Sequence, residues 1–185
     1  MNMVAIHLAE GFEEIEAVTI IDVLRRAGLE VVTVSVTGKK LVKGSHNIDI
    51  QADKLFEEVD YNKVKMIILP GGMPGAKNLN DHVGLRSHIL EFNKRGKYLA
   101  AICAAPLVFG NLEILRGRKA VCYPGFENQL HGAELFFIPY IVDNNIITGR
   151  GVGTVLGFSL EIVRMLIGEE RAQQLHKAML VDVIL

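Results

Sequence analysis

Cysteine is scarce in this chain: two residues in 185, Cys103 and Cys122. Two thiols cannot build a disulfide framework, and they suit a reducing compartment. An excess of charge of one sign is also missing, with 20 Lys and Arg against 21 Asp and Glu and a net charge of −1. That balance gives no electrostatic case for nucleic acid or an anionic membrane surface as a partner. Long hydrophobic runs are absent too. The apolar stretch in the opening MNMVAIHLAEGFEE is far too short for a spanning helix or a signal peptide and has no basic flank, so the expectation is a cytoplasmic protein. The six histidines do not cluster, and none stands at metal-ligand spacing from a carboxylate or a cysteine. A zinc site is therefore not expected, and no other cofactor is called for. No repeat, low-complexity tract or linker-like run divides the chain. With 50% hydrophobic and 22% charged residues, the reading is one globular domain, 1–185, with room for a large core.

What is present alternates. Residues 3–9 (MVAIHLA) read as a buried strand, and Gly11 opens a turn. Residues 13–27 follow as a helix with Ile15, Val18, Ile21 and Leu24 on its apolar period. Glu13 and Glu14 fall in its first turn and Arg25 and Arg26 in its last, each on the favourable side of the macrodipole, and Gly28 ends it. Residues 30–36 are a second strand, which completes a strand–helix–strand unit and predicts a parallel sheet with a right-handed crossover. Residues 38–52 read as a hairpin excursion. Residues 64–69 are a buried strand stopped by Pro70-Gly71-Gly72. Residues 81–94 read as a helix with Leu85, Ile89, Leu90 and Phe92 inward. Residues 119–123 are a further strand, 139–148 a hairpin turning at Asp143-Asn144-Asn145, 149–154 a Gly-rich turn, and 154–167 and 169–178 two closing helices. The alternation predicts an α/β three-layer sandwich with its site at the C-terminal edge of the strands.

Residues 98–109 (YLAAICAAPLVF) dominate this pattern. An apolar strand runs straight into a helix start, with Pro106 in the first turn and one thiol, Cys103, at the corner. A strand-to-helix corner exposes a nucleophile and aims free N–H groups at it, which stabilises a thiolate. A lone cysteine is more often buried packing, but such a corner has no structural need for sulfur. Cys122, in AVCYP, reads as that inert packing. Glu16 lies one turn into the first helix among Ile15, Ala17 and Val18. A carboxyl buried beside a thiolate there is pushed toward its protonated form and donates to sulfur, whereas Glu13 and Glu14 read as solvated. Gly71-Gly72, after the strand 64–69, can bring backbone N–H groups close to a ligand. GRGVGT at 149–154 lacks the Lys-Ser/Thr ending of a phosphate loop. Arg150 reads as a brace for that loop or a binder of an anionic group. Lys39-Lys40 reads as a solvated turn.

AEGFEEIEAV, DVLRRAG, ILPGGMPGAKNL, AAICAAP and TGRGVGT occur in this order along the chain. Together they resemble the ThiJ/PfpI superfamily, in its Parkinson disease protein 7 branch. The resemblance implies a flavodoxin-like sandwich with a mostly parallel sheet, related to the class I glutamine amidotransferase domain, and a homodimer with Arg25 and Arg26 near its interface. Carried over by motif, Cys103 matches the reactive elbow cysteine and Glu16 its partner carboxyl. Gly71, Gly72 and Ala104 match the backbone N–H donors of the oxyanion pocket. The chain departs from the pattern at Tyr123, where the branch often places a histidine, and His131 is too far along to replace it. Ala104 stands where protease-like and chaperone-like branches carry histidine. A Cys-His peptidase is therefore poorly supported, and the absence of a late His-Pro-Glu speaks against glutamine amidotransfer.

The resemblance implies small-carbonyl chemistry: glyoxalase activity without glutathione, or removal of early glyoxal adducts, on a small aldehyde or glycated substrate. The alternative from another class is a redox sensor or holdase chaperone in which the same thiol is oxidised to sulfinate without turnover. An older label of the superfamily, thiamine or thiazole biosynthesis, has no supporting feature in this chain.

Overall fold

A computed structural model of the chain describes residues 3–181; the two ends of the expected 1–185 unit lie outside it. Its centre is a seven-stranded sheet. In chain order the main elements are β1 (Met3–Leu8), α1 (Glu14–Arg26), β2 (Glu30–Ser35), β3 (Leu41–Lys43), β4 (Asp49–Gln51), β5 (Lys54–Leu55), β6 (Val64–Leu69), α2 (Gly75–Asp81), α3 (Val83–Lys94), β7 (Tyr98–Ile102), α4 (Pro106–Asn111), β8 (Lys119–Ala120), β9 (Glu134–Leu135), β10 (Tyr140–Asp143), β11 (Ile146–Gly149), α5 (Val155–Leu166) and α6 (Glu169–Ala178). The sheet order is β10-β11-β7-β6-β1-β2-β5. All neighbours pair in parallel except the β10–β11 hairpin. Between β2 and β11 the order is that of the flavodoxin-like fold, with its switch point between β1 and β6.

The period-2 alternation of each strand splits the core into two layers. Val4, Ile6, Leu8, Met66, Ile68, Ala100 and Ile102 pack with α1, α5 and α6. Ala5, Ile67, Leu69, Leu99 and Ala101 face the opposite side, against α2, α3 and α4. No helix among the described residues is long and apolar enough to cross a membrane.

Four expectations are corrected. First, α1 turns a different stripe inward: Glu16, Ala17, Ile20, Val23 and Leu24 are buried, while Ile15 and Val18 are half exposed. Second, the helix expected from 81 is preceded by the separate α2. His82 breaks the two and caps α3, its Nδ1 accepting the Leu85 N–H at 3.0 Å, and Leu90 faces out. Third, the strand expected over 119–123 is only β8, which pairs with β9 outside the main sheet. Fourth, the main sheet gains an edge strand, β5, that the pattern did not announce. The hairpins at 38–52 and 139–148 both form, as β3–β4 and β10–β11.

One polar cluster sits within the α2–α3 side. His7 of β1 is fully buried, with Nε2 2.7 Å from the Tyr61 hydroxyl and Nδ1 without a hydrogen-bond partner among the described residues. Tyr61 stacks on His88 at 3.7 Å between ring centroids, and Phe56 meets His82 edge-on at 4.4 Å. Burial first, then neighbouring His82, lowers His7 from 6.5 to about 3. The unfolded chain therefore takes this proton first as pH falls. The contribution of neutral His7 to stability is complete above 6.5 and drains away as pH falls toward about 3. The slope approaches about 1.4 kcal/mol per pH unit within that window. Urea unfolding of wild type and His7→Gln across this range should show a shallower acid loss in the variant; parallel curves would contradict it.

Candidate active site

The thiol sits at the corner where β7 gives way to α4. Cys103 has φ +63, a left-handed conformation that costs a non-glycine residue on the order of 1–3 kcal/mol. Hydrogen bonds fix the strained corner. The Cys103 N–H donates to the Gly149 carbonyl at 2.9 Å, Cys103 O accepts the Tyr123 N–H at 2.8 Å, and the Ala105 N–H returns to Ile102 O at 3.0 Å. The helix then starts with Pro106 in its first turn, where a missing N–H costs little.

Glu16 reaches the same place from α1 and has no solvent exposure. Its Oε2 accepts the Gly71 N–H at 2.8 Å. Its Oε1 is buried with no hydrogen-bond partner among the described residues, and the carboxyl and the Cys103 thiol each shift the other's ionisation. The backbone of Gly71 lies between the two groups: a Cβ there would stand 2.6 Å from Cys103 Cβ and 2.8 Å from Glu16 Oε2. Only glycine lets the three meet. The backbone N–H groups of Gly72 and Ala104 favour the ionised form of the thiol. Of the three expected oxyanion donors, Gly71 is corrected: its N–H donates to the Glu16 carboxyl.

The electrostatics of the pair are coupled. Burial, followed by repulsion from the Glu16 carboxylate, pushes the Cys103 thiol up to about 12, against the smaller opposing pull of the Ala104 and Gly72 N–H groups. Burial pushes Glu16 up to about 7, against the Gly71 N–H and the thiol. The expectation of a thiol lowered by helix N–H groups is thus incomplete, because an ionised Glu16 holds the thiol protonated. Once Glu16 carries a proton, the repulsion vanishes and the two donors at sulfur face one donor at the carboxyl.

Two residues expected near the site differ in their involvement. Tyr123 is half exposed and tethered to the elbow through its backbone. Arg150 turns away: its guanidinium lies 5.8 Å from the Phe137 ring and its N–H donates to Pro139 O at 2.9 Å, the bracing arrangement. Cys122 is buried, and burial with nearby Glu127 pushes its thiol up to about 11.

Residues 2–165 match the DJ-1/PfpI family. The chain belongs to the DJ-1/PfpI family. DJ-1 homolog B of Arabidopsis thaliana is 39% identical over 171 residues, 91% of this chain. The chain spans 39% of that protein's length and 46% of the length of Arabidopsis DJ-1 homolog A. The structure of oxidised Toxoplasma gondii DJ-1 superposes with a TM-score of 0.93 at 37% identity, covering 97% of this chain and 98% of that one. A deglycase of Pyrococcus abyssi is 28% identical over 164 residues, covering 85% of this chain and 95% of that protein.

Two features of this DJ-1/PfpI site were not read from the sequence. Gly151, within the GRGVGT turn, borders the thiol: a Cβ on it would lie 3.9 Å from Cys103 Sγ. Its Gly-rich context was visible, but nothing local ties it to Cys103. Glu14, expected in solvent, is buried and accepts from Ser45 Oγ at 3.0 Å and from the His46 N–H, and lies 2.8 Å from His46 Nδ1. Although burial alone would raise it, these partners lower Glu14 to about 2. Ligand atoms of Glu13, Glu14 and His46 lie within 4.8 Å of one another, so a histidine meets carboxylates in space that it does not meet in sequence.

The elbow geometry carries one expectation directly. Cys103, partly exposed with two N–H groups at sulfur, should alkylate far faster than buried Cys122. Peptide mapping after limited iodoacetamide treatment at mildly acidic pH reads the ratio, and equal labelling of the two would contradict it.

Proposed function

We propose that the protein performs cysteine-dependent chemistry on small carbonyls, of the glutathione-independent glyoxalase and deglycase type, with Cys103 as nucleophile and Glu16 as proton carrier. The observation that carries the reading is a buried carboxyl with one unpartnered oxygen packed across Gly71 from an elbow thiol. The deglycase of Pyrococcus abyssi supports it as a relative.

The reactive form holds one proton between the pair, on Glu16, with the charge on sulfur. Sγ attacks the aldehyde carbon of methylglyoxal, and the new alkoxide takes the Glu16 proton to give a hemithioacetal. The Gly72 and Ala104 N–H groups stabilise the developing charge. The Glu16 carboxylate then removes the proton from that carbon and returns it to the neighbouring carbon. The product is a lactoyl thioester on Cys103. Water cleaves it, releasing lactate and restoring the thiolate. The net change is addition of water to methylglyoxal, so no outside oxidant or reductant enters. For glycated substrates Sγ displaces the amine or thiol, which leaves the adduct carbon with the Glu16 proton, and the same hemithioacetal results.

The homodimer belongs to this proposal, since it rests on family resemblance; light scattering at micromolar concentration should give twice the chain mass, and a monomer would remove it. The oxidised state of the Toxoplasma relative favours one second reading, a sensor in which Cys103 reaches sulfinate. Methylglyoxal turnover by wild type and Cys103→Ala in parallel separates them. Turnover lost in the variant supports the enzyme; no turnover in the wild type favours the sensor.

A further inference from the structure

Tyr123 is half exposed, at 50%, and its backbone N–H donates to Cys103 O. A Cβ on Gly151 would lie 3.3 Å from Tyr123 Cδ2 and 3.9 Å from Cys103 Sγ. The ring edge and the sulfur therefore face each other across Gly151, with no side chain of that residue between them. Phe126 holds the Tyr123 ring edge-on, with centroids 6.5 Å apart. The Arg150 guanidinium lies over the Phe137 ring, 5.8 Å from its centroid. Tyr123 thus presents an aromatic face to the approach to the sulfur.

We propose that Tyr123 is a specificity-determining residue that favours carbonyl substrates carrying a flat apolar substituent, aryl-substituted 1,2-dicarbonyls above methyl-substituted ones. The proposal rests on the small-carbonyl reading given above. When Sγ bonds the terminal aldehyde carbon, the substituent on the adjacent carbon comes within reach of the Tyr123 ring. The steps are unchanged: phenylglyoxal and water give mandelate, with Glu16 moving the proton between carbons and water releasing the thioester.

The test compares kcat/KM for phenylglyoxal and methylglyoxal in wild type, Tyr123→Ala and Tyr123→Phe. Tyr123 contributes only its backbone N–H to the elbow, which both variants keep. The phenylglyoxal-to-methylglyoxal ratio should fall about fivefold to tenfold in Tyr123→Ala, the scale of one aromatic contact, and stay near wild type in Tyr123→Phe. A second arm needs no turnover: the rates at which N-phenylmaleimide and N-methylmaleimide alkylate Cys103, read by peptide mapping, should show the same pattern. If wild type turns over neither dicarbonyl, the small-carbonyl reading fails and the maleimide arm alone decides on Tyr123. In either arm, an unchanged ratio in Tyr123→Ala overturns the assignment. An equal fall in Tyr123→Phe also overturns it, because the hydroxyl and not the ring would then be the determinant.

Discussion

Glu16→Gln is expected to lose carbonyl turnover by about a hundredfold to ten-thousandfold, the scale of a positioned acid–base group, while Cys103 stays open to alkylation. The two effects part because the side chain serves the site in two ways. As a neutral donor it offsets charge on sulfur, and an amide can still donate. As a proton carrier it must accept a hydrogen from one carbon and return it to the next, and an amide cannot. Among the described residues no second base is in place: position 123 is a tyrosine and not a histidine, and His131 is exposed. Removing the carboxylate also removes its repulsion of the thiol, one of the causes that push Cys103 up. The apparent pKa for alkylation should therefore not rise in the variant. Methylglyoxal turnover and the pH dependence of iodoacetamide labelling, measured on the same preparation, give both halves. Full turnover in Glu16→Gln would contradict the proton-carrier role.

Gly72→Ala is expected to cost about 3 kcal/mol of stability or more, by strain and by collision together. Gly72 has φ +90, and a Cβ there would stand 2.4 Å from Glu13 N and 2.5 Å from Gly11 O. Both obstacles are backbone, so neither can swing aside. The contact is what docks the loop after β6 against the entry to α1: Glu13 N–H donates to Gly71 O at 2.9 Å and Gly75 N–H to Gly11 O at 3.2 Å. Through that docking α1 places Glu16 against Gly71 and Cys103. Gly96→Ala is the control, because Gly96 has φ +65 but nothing within 4 Å of a built Cβ. It should cost only about 1–2 kcal/mol, the left-handed penalty alone. Urea midpoints of the two variants report the difference, and equal losses would show that the loop yields to the added methyl.

Features written in neighbouring residues were legible in the sequence. The alternation of strands and helices specified the sheet and its parallel sense, and YLAAICAAP specified a corner with its thiol. The resemblance of EEIEAV pointed to Glu16, which spacing alone signalled only weakly. Features written in distant residues were not legible. In α1, Ile15 and Val18 make as good an apolar stripe as Ala17, Ile20 and Val23, with Leu24 fitting either. Packing against the sheet and α5 chose the second, since only that face also brings Glu16 inward. Glu14 was read as solvated because its partners, Ser45 and His46, come from a hairpin more than thirty positions away. Gly71 was placed among the oxyanion donors because sequence shows that a glycine can approach a ligand, not which acceptor its N–H meets. The direction of the thiol's shift needed the burial of Glu16 as well as its presence.

The central claim is that Glu16 holds the proton and Cys103 the charge in the one-proton form of the pair. Carbon-13 labelling of the Glu16 carboxyl and the Cys103 Cβ, followed by NMR through neutral and mildly alkaline pH, reads both sites at once. The account predicts a protonated carboxyl beside a thiolate in the one-proton form, with the two signals moving together. A carboxylate beside an intact thiol throughout that range would contradict it.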